Sequence, residues 1–251
     1  MEQKKEKEEG SLQKELMEEG KSSFRKYTEI FVGKKSFWKF LKYELILFLF
    51  SWVPGALGLF LRKIFYPLIV GEVGKGVVFG HHVTLRHPHK IKVGSYCYID
   101  DYAVLDAKGI QNQGITIGDH AMVGRNTILS CKEGDIELED YANISARCTL
   151  LSETSIKVGK YSFLAGHCYL VAGGNHRFDK TDVPIMFQPP LTKGGIEVGK
   201  DCWLGASVTV LDGVKMGEGC VVGAGAVVKD SLSEFSIAVG VPARAIKSRK
   251  S

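Results

Sequence analysis

One of the seven histidines in the sequence differs in context from the other six. His176 lies in the segment 173–179, Gly-Gly-Asn-His-Arg-Phe-Asp, at the start of a long irregular stretch. An imidazole titrates near neutral pH, so it can take a proton from an attacking hydroxyl group. Asp179, three residues further on, is a candidate to orient that base. The remaining histidines are expected at the surface or at chain corners: His81, His82, His87, His89, His120 and His167.

A six-residue repeat follows this histidine and must position it. An apolar residue recurs every sixth position, glycine follows four of these residues directly, and a small residue often stands four positions later. The apolar positions are Val198, Leu204, Val210, Met216, Val222 and Val228. A period of six is neither helical nor simple strand alternation. It is typical of a parallel β-helix, in which three hexapeptides make one triangular coil of about 18 residues.

The same period begins much earlier in the chain, with sets that start at Val93, Ile117, Leu138 and Val158. We therefore predict an all-β fold, a parallel β-helix over residues 71–230. The 40 positions between Val158 and Val198 exceed one coil of about 18 residues. The excess predicts a loop over residues 177–195, and a long loop inserted in a regular solenoid is usually functional.

The two ends of the chain fall outside the repeat. Residues 1–35 are expected to form a charged tail or loose helix, and residues 36–70 an apolar helical segment broken at Pro54 and Gly55. This segment could lie at a membrane interface, cap the open end of the β-helix or pack between subunits, or, least favoured, span a bilayer. For residues 231–251 we expect a short helix and a basic tail.

Composition narrows the function and the compartment. The net charge is +5, and no basic run sits among aromatic residues, so nucleic-acid binding is not indicated. Five of the six cysteines occupy the small inward position of a hexapeptide: Cys97, Cys148, Cys168, Cys202 and Cys220. No pair has CxxC spacing, so we expect neither a zinc site nor a redox motif. Unpaired buried thiols and an N-terminus rich in Glu and Lys favour the cytoplasm, with the cytoplasmic face of the membrane as an option for residues 36–70.

Four segments together resemble a known family. They are 173–179, 203–206, 222–230 and 240–244, with the sequences GGNHRFD, WLGA, VGAGAVVKD and GVPAR. In this order they resemble the left-handed β-helix acyltransferases of the hexapeptide-repeat superfamily, in particular the galactoside, maltose and polysaccharide O-acetyltransferases. The resemblance covers about residues 71–247. It implies a left-handed β-helix, acetyl-CoA as acyl donor, no metal, and a homotrimer with active sites between neighbouring prisms.

The resemblance also implies roles for particular residues. His176 matches the catalytic base, and Asn143 and Glu153 match contacts to the acceptor sugar. Ala206 and Ala224 match the small residues along which the pantetheine arm lies. Basic residues near the nucleotide phosphates are matched by Lys229, Arg244 and Lys247, although the usual Thr-Lys-Asp is shortened here to Lys229-Asp230. Trp203 precedes an inward Leu204 and should point outward, into a subunit interface or the coenzyme groove.

The function we expect is acetyl transfer from acetyl-CoA to a hydroxyl of a sugar or glycan precursor, which could be lipid-linked. N-acetylation of an amino sugar or nucleotide sugar shares the fold and the donor and stays open. A zinc enzyme of the γ-carbonic-anhydrase type would need three histidines around one ion, and no third histidine is placed to join His167 and His176. A trimeric scaffold without activity is disfavoured by the motifs around His176 and Trp203.

Overall fold

The computed structural model describes residues 22–33 and 36–250. Residues 1–21 and 34–35, which belong to the expected charged tail, lie outside the described residues, as does Ser251. From Glu72 onward the chain winds into a parallel β-helix whose coils each add one strand to three sheets, here called faces A, B and C. This confirms the fold predicted from the hexapeptide period.

Each face stacks strands from successive coils in parallel register, apart from the last strand of face B, which runs antiparallel. Face A contains β1 (Glu72–Val73), β4 (Ile91–Val93), β7 (Ile115–Ile117), β10 (Asp135–Leu138), β13 (Ser155–Val158), β18 (Ile196–Val198) and β21 (Lys215–Met216). Face B contains β2 (Val78–Phe79), β5 (Tyr98–Ile99), β8 (Met122–Val123), β11 (Asn143–Ile144), β14 (Phe163–Leu164), β19 (Trp203–Leu204), β22 (Val221–Val222), β24 (Ser236–Val239) and β25 (Arg244–Ser248). Face C contains β3 (Thr84–Arg86), β6 (Val104–Asp106), β9 (Ile128–Cys131), β12 (Thr149–Ser152), β15 (Tyr169–Ala172), β20 (Thr209–Leu211) and β23 (Val227–Val228).

The hexapeptide apolar residues form the core because they stack directly from coil to coil. Val158 pairs with Val198, and Leu164 pairs with Leu204, so the register is kept across the inserted segment. These side chains are almost completely buried. Their removal from water is the dominant stabilising contribution, about 25 cal/mol per Å² of apolar surface.

The corners between faces A and B hold a column of aromatic rings. Tyr96, His120, Tyr141 and Tyr161 all adopt left-handed backbone conformations, with φ between 57° and 62°. Their rings follow one another at centroid distances of 5.2, 4.7 and 5.1 Å. Offset and tilted ring pairs of this kind stabilise by about 0.5–1.5 kcal/mol each. The corner column therefore helps to offset the strain of the left-handed residues.

Helices precede the solenoid and cover its first coil. After α1 (Ser23–Tyr27) and a π-helical turn (Thr28–Val32) come two apolar helices, α2 (Phe37–Phe50) and α3 (Gly55–Phe65). Pro54 separates the two apolar helices and Gly55 takes a positive φ of 65°, which bends the chain back on itself. Three short 3-10 helices complete the helical content: Tyr66–Leu68, Pro88–Lys90 and Ile185–Phe187. Within the described residues, none of the helices has the length and apolar content that a bilayer crossing requires.

The α2–α3 hairpin satisfies backbone groups at the open edge of the first coil. The Arg62 side chain, 1% exposed, donates from Nε to the carbonyl of Phe79 at 2.9 Å. Its Nη1 donates to the carbonyls of Phe50 and Val53 at 3.1 and 2.7 Å. The Tyr43 hydroxyl donates to the carbonyl of Leu85 at 2.6 Å. The hairpin is thus a cap that closes edge carbonyls of β2 and β3.

The C-terminal segment corrects one expectation, because residues 231–251 contain no helix among those described. β24 extends face B in parallel below β22, and β25 returns antiparallel beside β24. The turn between them contains Gly240 and a cis peptide bond before Pro242. A strand is favoured here because the last coil would otherwise leave an unpaired sheet edge.

Candidate active site

The loop that carries His176 leaves the prism between β15 and β18, at the corner between faces C and A. Its start is held by Glu153, one coil earlier, whose carboxylate accepts a hydrogen bond from the Gly174 N–H at 2.7 Å. Gly173 has a φ of 104°, and a Cβ there would lie 2.6 Å from the Glu153 Cβ. Only glycine therefore lets the loop begin this close to the neighbouring coil.

The end of the same loop is held by Asp212, one coil later. Asp212 is 3% exposed. Its carboxylate accepts hydrogen bonds from the Lys193 N–H at 2.6 Å and the Gly195 N–H at 2.9 Å. This residue was not among those predicted from the sequence. The dipeptide Asp212-Gly213 at a coil corner is a turn signal, but its partner across the loop is not visible in a linear pattern.

His176 stands on a short two-stranded ladder inside the loop. The strand β16 (Asn175–His176) runs antiparallel to β17 (Pro190–Leu191), with His176 opposite Pro190. Its side chain is exposed. The loop interior is ordered by Gln188, a second residue not predicted from the sequence. Its buried amide donates to the carbonyls of Lys180 and Val183 at 2.8 and 2.9 Å. The imidazole therefore lies on a two-stranded ladder inside a hydrogen-bonded loop, and it is accessible to a ligand.

Asp179 does not contact the imidazole. Both of its carboxylate oxygens accept from the Arg177 guanidinium, at 3.0 and 3.1 Å. This bidentate pair lowers the pKa of the Asp179 carboxyl. Asp179 therefore pairs with Arg177, and it does not orient His176 in this structure.

Two of the predicted ligand-binding residues lie in one outward column on face B. Asn143 pairs with Phe163, and Phe163 pairs with Trp203 in the next coil. Two steps of about 4.8 Å separate the first and last of these residues, or roughly 10 Å. Trp203 is 52% exposed, so the prediction that it points outward is met. The column offers an amide and an indole to a ligand on the same face.

The alanines predicted to border the coenzyme lie at the adjacent corner, between faces B and C. Ala206 and Ala224 are both exposed. The Ala206 carbonyl accepts from the Gly225 N–H at 2.8 Å, and a Cβ on Gly205 would lie 2.6 Å from the Ala224 nitrogen. The two coils therefore meet tightly, and their small side chains leave the surface beside Trp203 open.

The basic residues predicted near the nucleotide phosphates are exposed at the C-terminal end. Arg244 Nη1 lies 2.7 Å from a carboxylate oxygen of Asp230, and Lys229 Nζ lies 3.0 Å from it. These two cations lower the pKa of the Asp230 carboxyl, Arg244 most strongly. Lys247 lies on β25 opposite Ile237. Exposed ion pairs of this kind contribute little to stability, so a phosphate can compete for these cations.

The predicted residues therefore fall into two groups within one chain. His176 and Glu153 lie at the corner between faces C and A. Asn143 and Trp203 lie on face B, next to the alanines at the corner between faces B and C. Among the described residues no cluster of three or more His, Cys, Asp or Glu side chains could hold a metal ion.

The sequence relatives of the chain are acyltransferases. The family described as bacterial transferase hexapeptide (six repeats) matches residues 195–230. The chain is 32% identical to a probable acetyltransferase of Mycobacterium tuberculosis over 54% of its own length and 45% of that protein. It therefore spans less than half the length of this relative. It is 28% identical to the dTDP-4-amino-4,6-dideoxy-D-glucose acyltransferase of Escherichia coli, over 71% of this chain and 82% of that one.

Solved structures give the same fold. AntD, an N-acyltransferase from Bacillus cereus in complex with dTDP and 3-hydroxybutyryl-CoA, has a TM-score of 0.51 and 27% identity, covering 80% of this chain and 90% of that one. The polySia-specific acetyltransferase NeuO has a TM-score of 0.58 at 18% identity, covering 70% and 75% of the two chains. This second likeness concerns the fold alone.

A third relative links the fold and the motifs to a family. The chain is 32% identical to a probable macrolide acetyltransferase of Lysinibacillus sphaericus, with 43% of this chain and 68% of that protein covered. The alignment thus covers most of the relative's length, at an identity that indicates common ancestry. The hexapeptide match, the β-helix and this relative agree, and the chain belongs to the hexapeptide-repeat acyltransferases.

Proposed function

We propose that the protein transfers an acetyl group from acetyl-CoA to a hydroxyl of a sugar or glycan precursor, with His176 as general base. The observation that carries the proposal is the exposed imidazole on a ladder that is fixed by carboxylates at both ends. His176 takes the hydroxyl proton as the oxygen attacks the thioester carbon. The C–O bond forms, the C–S bond breaks, and the proton passes to the leaving thiolate, giving free coenzyme A.

The donor site is proposed along the corner between faces B and C. The pantetheine arm passes Ala206 and Ala224, where small side chains leave room, with the Trp203 ring beside it. Lys229, Arg244 and Lys247 bind the phosphates by charge-assisted hydrogen bonds. Support comes from relatives, because AntD is solved with an acyl-CoA.

The acceptor contacts are Asn143 and Glu153, whose amide and carboxylate suit sugar hydroxyls. Glu153 uses one oxygen for the Gly174 N–H, and its other oxygen lies 3.9 Å from the Lys132 ammonium. That second oxygen is the one available to an acceptor hydroxyl. The carboxylate would then hold the loop and the substrate at once.

We further propose that the working unit is a homotrimer. The two groups of site residues lie on different sides of the prism, so one chain cannot bring them together. In a cyclic trimer, the corner between faces C and A of one chain faces the Trp203 side of its neighbour. Loop residues Phe178 and Phe187 are 77% and 69% exposed, and a neighbouring prism would cover them.

A second acceptor class is favoured by the relatives. The Escherichia coli relative acts on an amino sugar nucleotide, and AntD is an N-acyltransferase, so an amine of a nucleotide sugar is the alternative acceptor. The compartment that we propose is the cytoplasm, and the six free and buried cysteines support this proposal.

Transfer of labelled acetyl from acetyl-CoA to paired hydroxyl and amino sugars tests both proposals. His176→Asn should lower kcat by about 10²–10⁴-fold. His82→Asn is the matched control, since His82 is exposed on the first coil and asparagine tolerates its left-handed backbone. Unchanged activity in His176→Asn would refute the assignment, and turnover of amines alone would select the alternative.

A further inference from the structure

The outer surface of the α2–α3 hairpin is apolar and is exposed in the part of the chain that the structure describes. On α2 and the bend after it, Leu41, Leu45, Phe48 and Trp52 follow a helical spacing, and all are exposed. On α3 and the turn after it, Leu57, Phe60, Ile64 and Leu68 repeat nearly the same spacing and are exposed as well. Spacings of three, four and seven residues place side chains on one face of a helix. We call these eight residues the outer apolar face.

The opposite sides of the same helices pack against the prism. Ile46 belongs to the buried core, and Phe50 stacks on Phe65 at 4.1 Å between ring centroids. Arg62 bonds to the first coil from this inner side. Because both inner sides pack toward the prism, the outer apolar face points away from it, beyond the end of the solenoid. Phe48 and Phe60 are 76% and 60% exposed there.

Lysines outnumber acidic residues on the two helices. Lys39, Lys42 and Lys63 are exposed on the two helices. Glu44 is the one acidic residue between positions 36 and 71, and it accepts a hydrogen bond from the Tyr27 hydroxyl at 2.7 Å. Lys39 and Lys42 line a recess that also includes Leu68 of the outer apolar face and Pro88 of the first coil. Both lysines therefore lie at the border of this face, where the hairpin meets the prism.

We propose that the outer apolar face inserts into the interface of an anionic lipid bilayer and holds the protein on its surface. A face of Leu, Phe and Trp flanked by lysines is the pattern of helices that lie in a membrane interface. The helices, 14 and 11 residues long, reach about 21 and 16 Å, short of the roughly 30 Å hydrocarbon core. The lysines contact headgroup phosphates while the apolar side chains enter the acyl boundary.

The position of the hairpin suits this partner better than a second copy of the chain. Cyclic assembly of prisms along their sides leaves their ends free and turns all three hairpins to the same side. The three outer apolar faces would then meet one membrane together. This placement does not depend on the reaction that the enzyme performs.

Vesicle flotation of the full chain tests the proposal. The wild-type chain should float with phosphatidylcholine vesicles that contain phosphatidylglycerol and much less with pure phosphatidylcholine, and added salt should weaken the binding. The double variant Phe48→Gln/Phe60→Gln should lose about tenfold or more in partition coefficient. Ile110→Gln is the matched control, because Ile110 is an exposed isoleucine on a loop of the prism. Lys39→Gln/Lys42→Gln should reduce flotation on the anionic vesicles alone.

Three measurements distinguish a loss of membrane binding from misfolding, from a loss of coenzyme binding and from a change of oligomeric state. Circular dichroism and thermal melting of the double variant should match the wild type, because the replaced rings are exposed. Calorimetric binding of coenzyme A should be equal in both, so failure of the acyltransferase proposal would not mimic failure of this one. The proposal is overturned if the wild-type chain stays with the soluble fraction or if the double variant floats equally well. It is also overturned if the double variant changes the oligomeric state in ultracentrifugation, which would assign the face to a second copy.

Discussion

Glu153 shows how a single side chain connects the solenoid to the candidate base. The sequence predicts it as an acceptor contact, from its resemblance to an acidic family position. The structure adds a role that no sequence pattern indicates, because Gly174 is 21 positions later and reaches Glu153 only through the stacking of coils. The converse holds for Asp179, which is near His176 in sequence but pairs with Arg177.

Removal of the Glu153 carboxylate should loosen the start of the loop. We expect Glu153→Ala to lower the transfer rate by about 10–100-fold through misplacement of His176. Hydrogen–deuterium exchange of the loop backbone should rise in parallel, which a loss of acceptor binding alone would not cause. Glu153→Gln keeps an acceptor oxygen for Gly174 and should restore the slow exchange. Glu137→Ala, on the exposed surface of face A, is the control.

His87 gives the cap a dependence on pH. It is buried, its Nε2 lies 2.9 Å from the Glu29 carbonyl, and burial lowers its pKa, opposed by that backbone bond. A group with a lowered folded pKa contributes stability above its unfolded value of about 6.5 and loses it as the pH falls. The melting temperature should therefore decrease between about pH 7.5 and about pH 5.5, by roughly 2–4 °C per kcal/mol lost. His87→Asn should flatten this dependence, and a decrease of the same size in the variant would disprove the assignment.

At the scale of elements, the sequence predicts the boundaries of the apolar helices better than the contacts between elements. The apolar run and the Pro54–Gly55 break predict two helical pieces, and two helices are present. That Arg62 would be buried was not predictable, because its acceptors are the Phe79 carbonyl at the edge of the prism and two carbonyls at and just after the end of α2, which only the folded hairpin brings together. The expected C-terminal helix was wrong for a related reason. β25 is exposed along its whole length, so no buried alternation marks it as a strand.

Replacement of Arg62 by methionine should destabilise the cap. The carbonyls of Phe79, Phe50 and Val53 would lose their donor inside the protein, at a cost of about 2–4 kcal/mol in the free energy of unfolding. Urea denaturation of the full chain measures this change. Lys63→Met replaces the neighbouring exposed cation and should shift stability by no more than about 0.5 kcal/mol. Equal effects of the two variants would show that the Arg62 hydrogen bonds are not needed.

At the scale of the whole molecule, the repeat determines almost everything that is buried. Six-residue spacing predicts the inward residues, and all of them are in the core. The spacing cannot predict which sides of the prism carry His176 and Trp203 relative to a neighbour, since this depends on the number of residues at each corner. The division of the site between two sides leads to a prediction about assembly.

Mixed trimers should recover activity from two inactive chains. In a trimer co-refolded from His176→Asn and Trp203→Ala chains in equal amounts, about a quarter of the interfaces would combine an intact His176 with an intact Trp203. Transfer activity of the mixture should approach that fraction of the wild type. Separately refolded chains that are mixed without exchange are the control. A mixture as inactive as its components would place both residues in one chain's own site.

The cysteines should be unreactive until the prism unfolds. All six are free and buried. Burial raises the pKa of the Cys97 and Cys131 thiols, whereas a hydrogen bond with Cys202 lowers the pKa of Cys220. Because a reagent cannot reach a buried sulfur atom, a disulfide reagent should modify none of the six in the folded protein within minutes. Full modification should follow the unfolding transition in denaturant. Rapid labelling of the native chain would contradict the stacked core.

The clamping of the loop at both of its ends has a consequence for how such enzymes diversify. Within the loop, Glu153 and Asp212 bind only main-chain N–H groups, so these hydrogen bonds impose no demand on the side chains between residues 175 and 192. Nearly all the sequence between the two clamps could be exchanged while the coils above and below stay in register. A loop of this length taken from another member of the family, with the histidine kept at position 176, should therefore fold on these coils and leave the donor groove untouched.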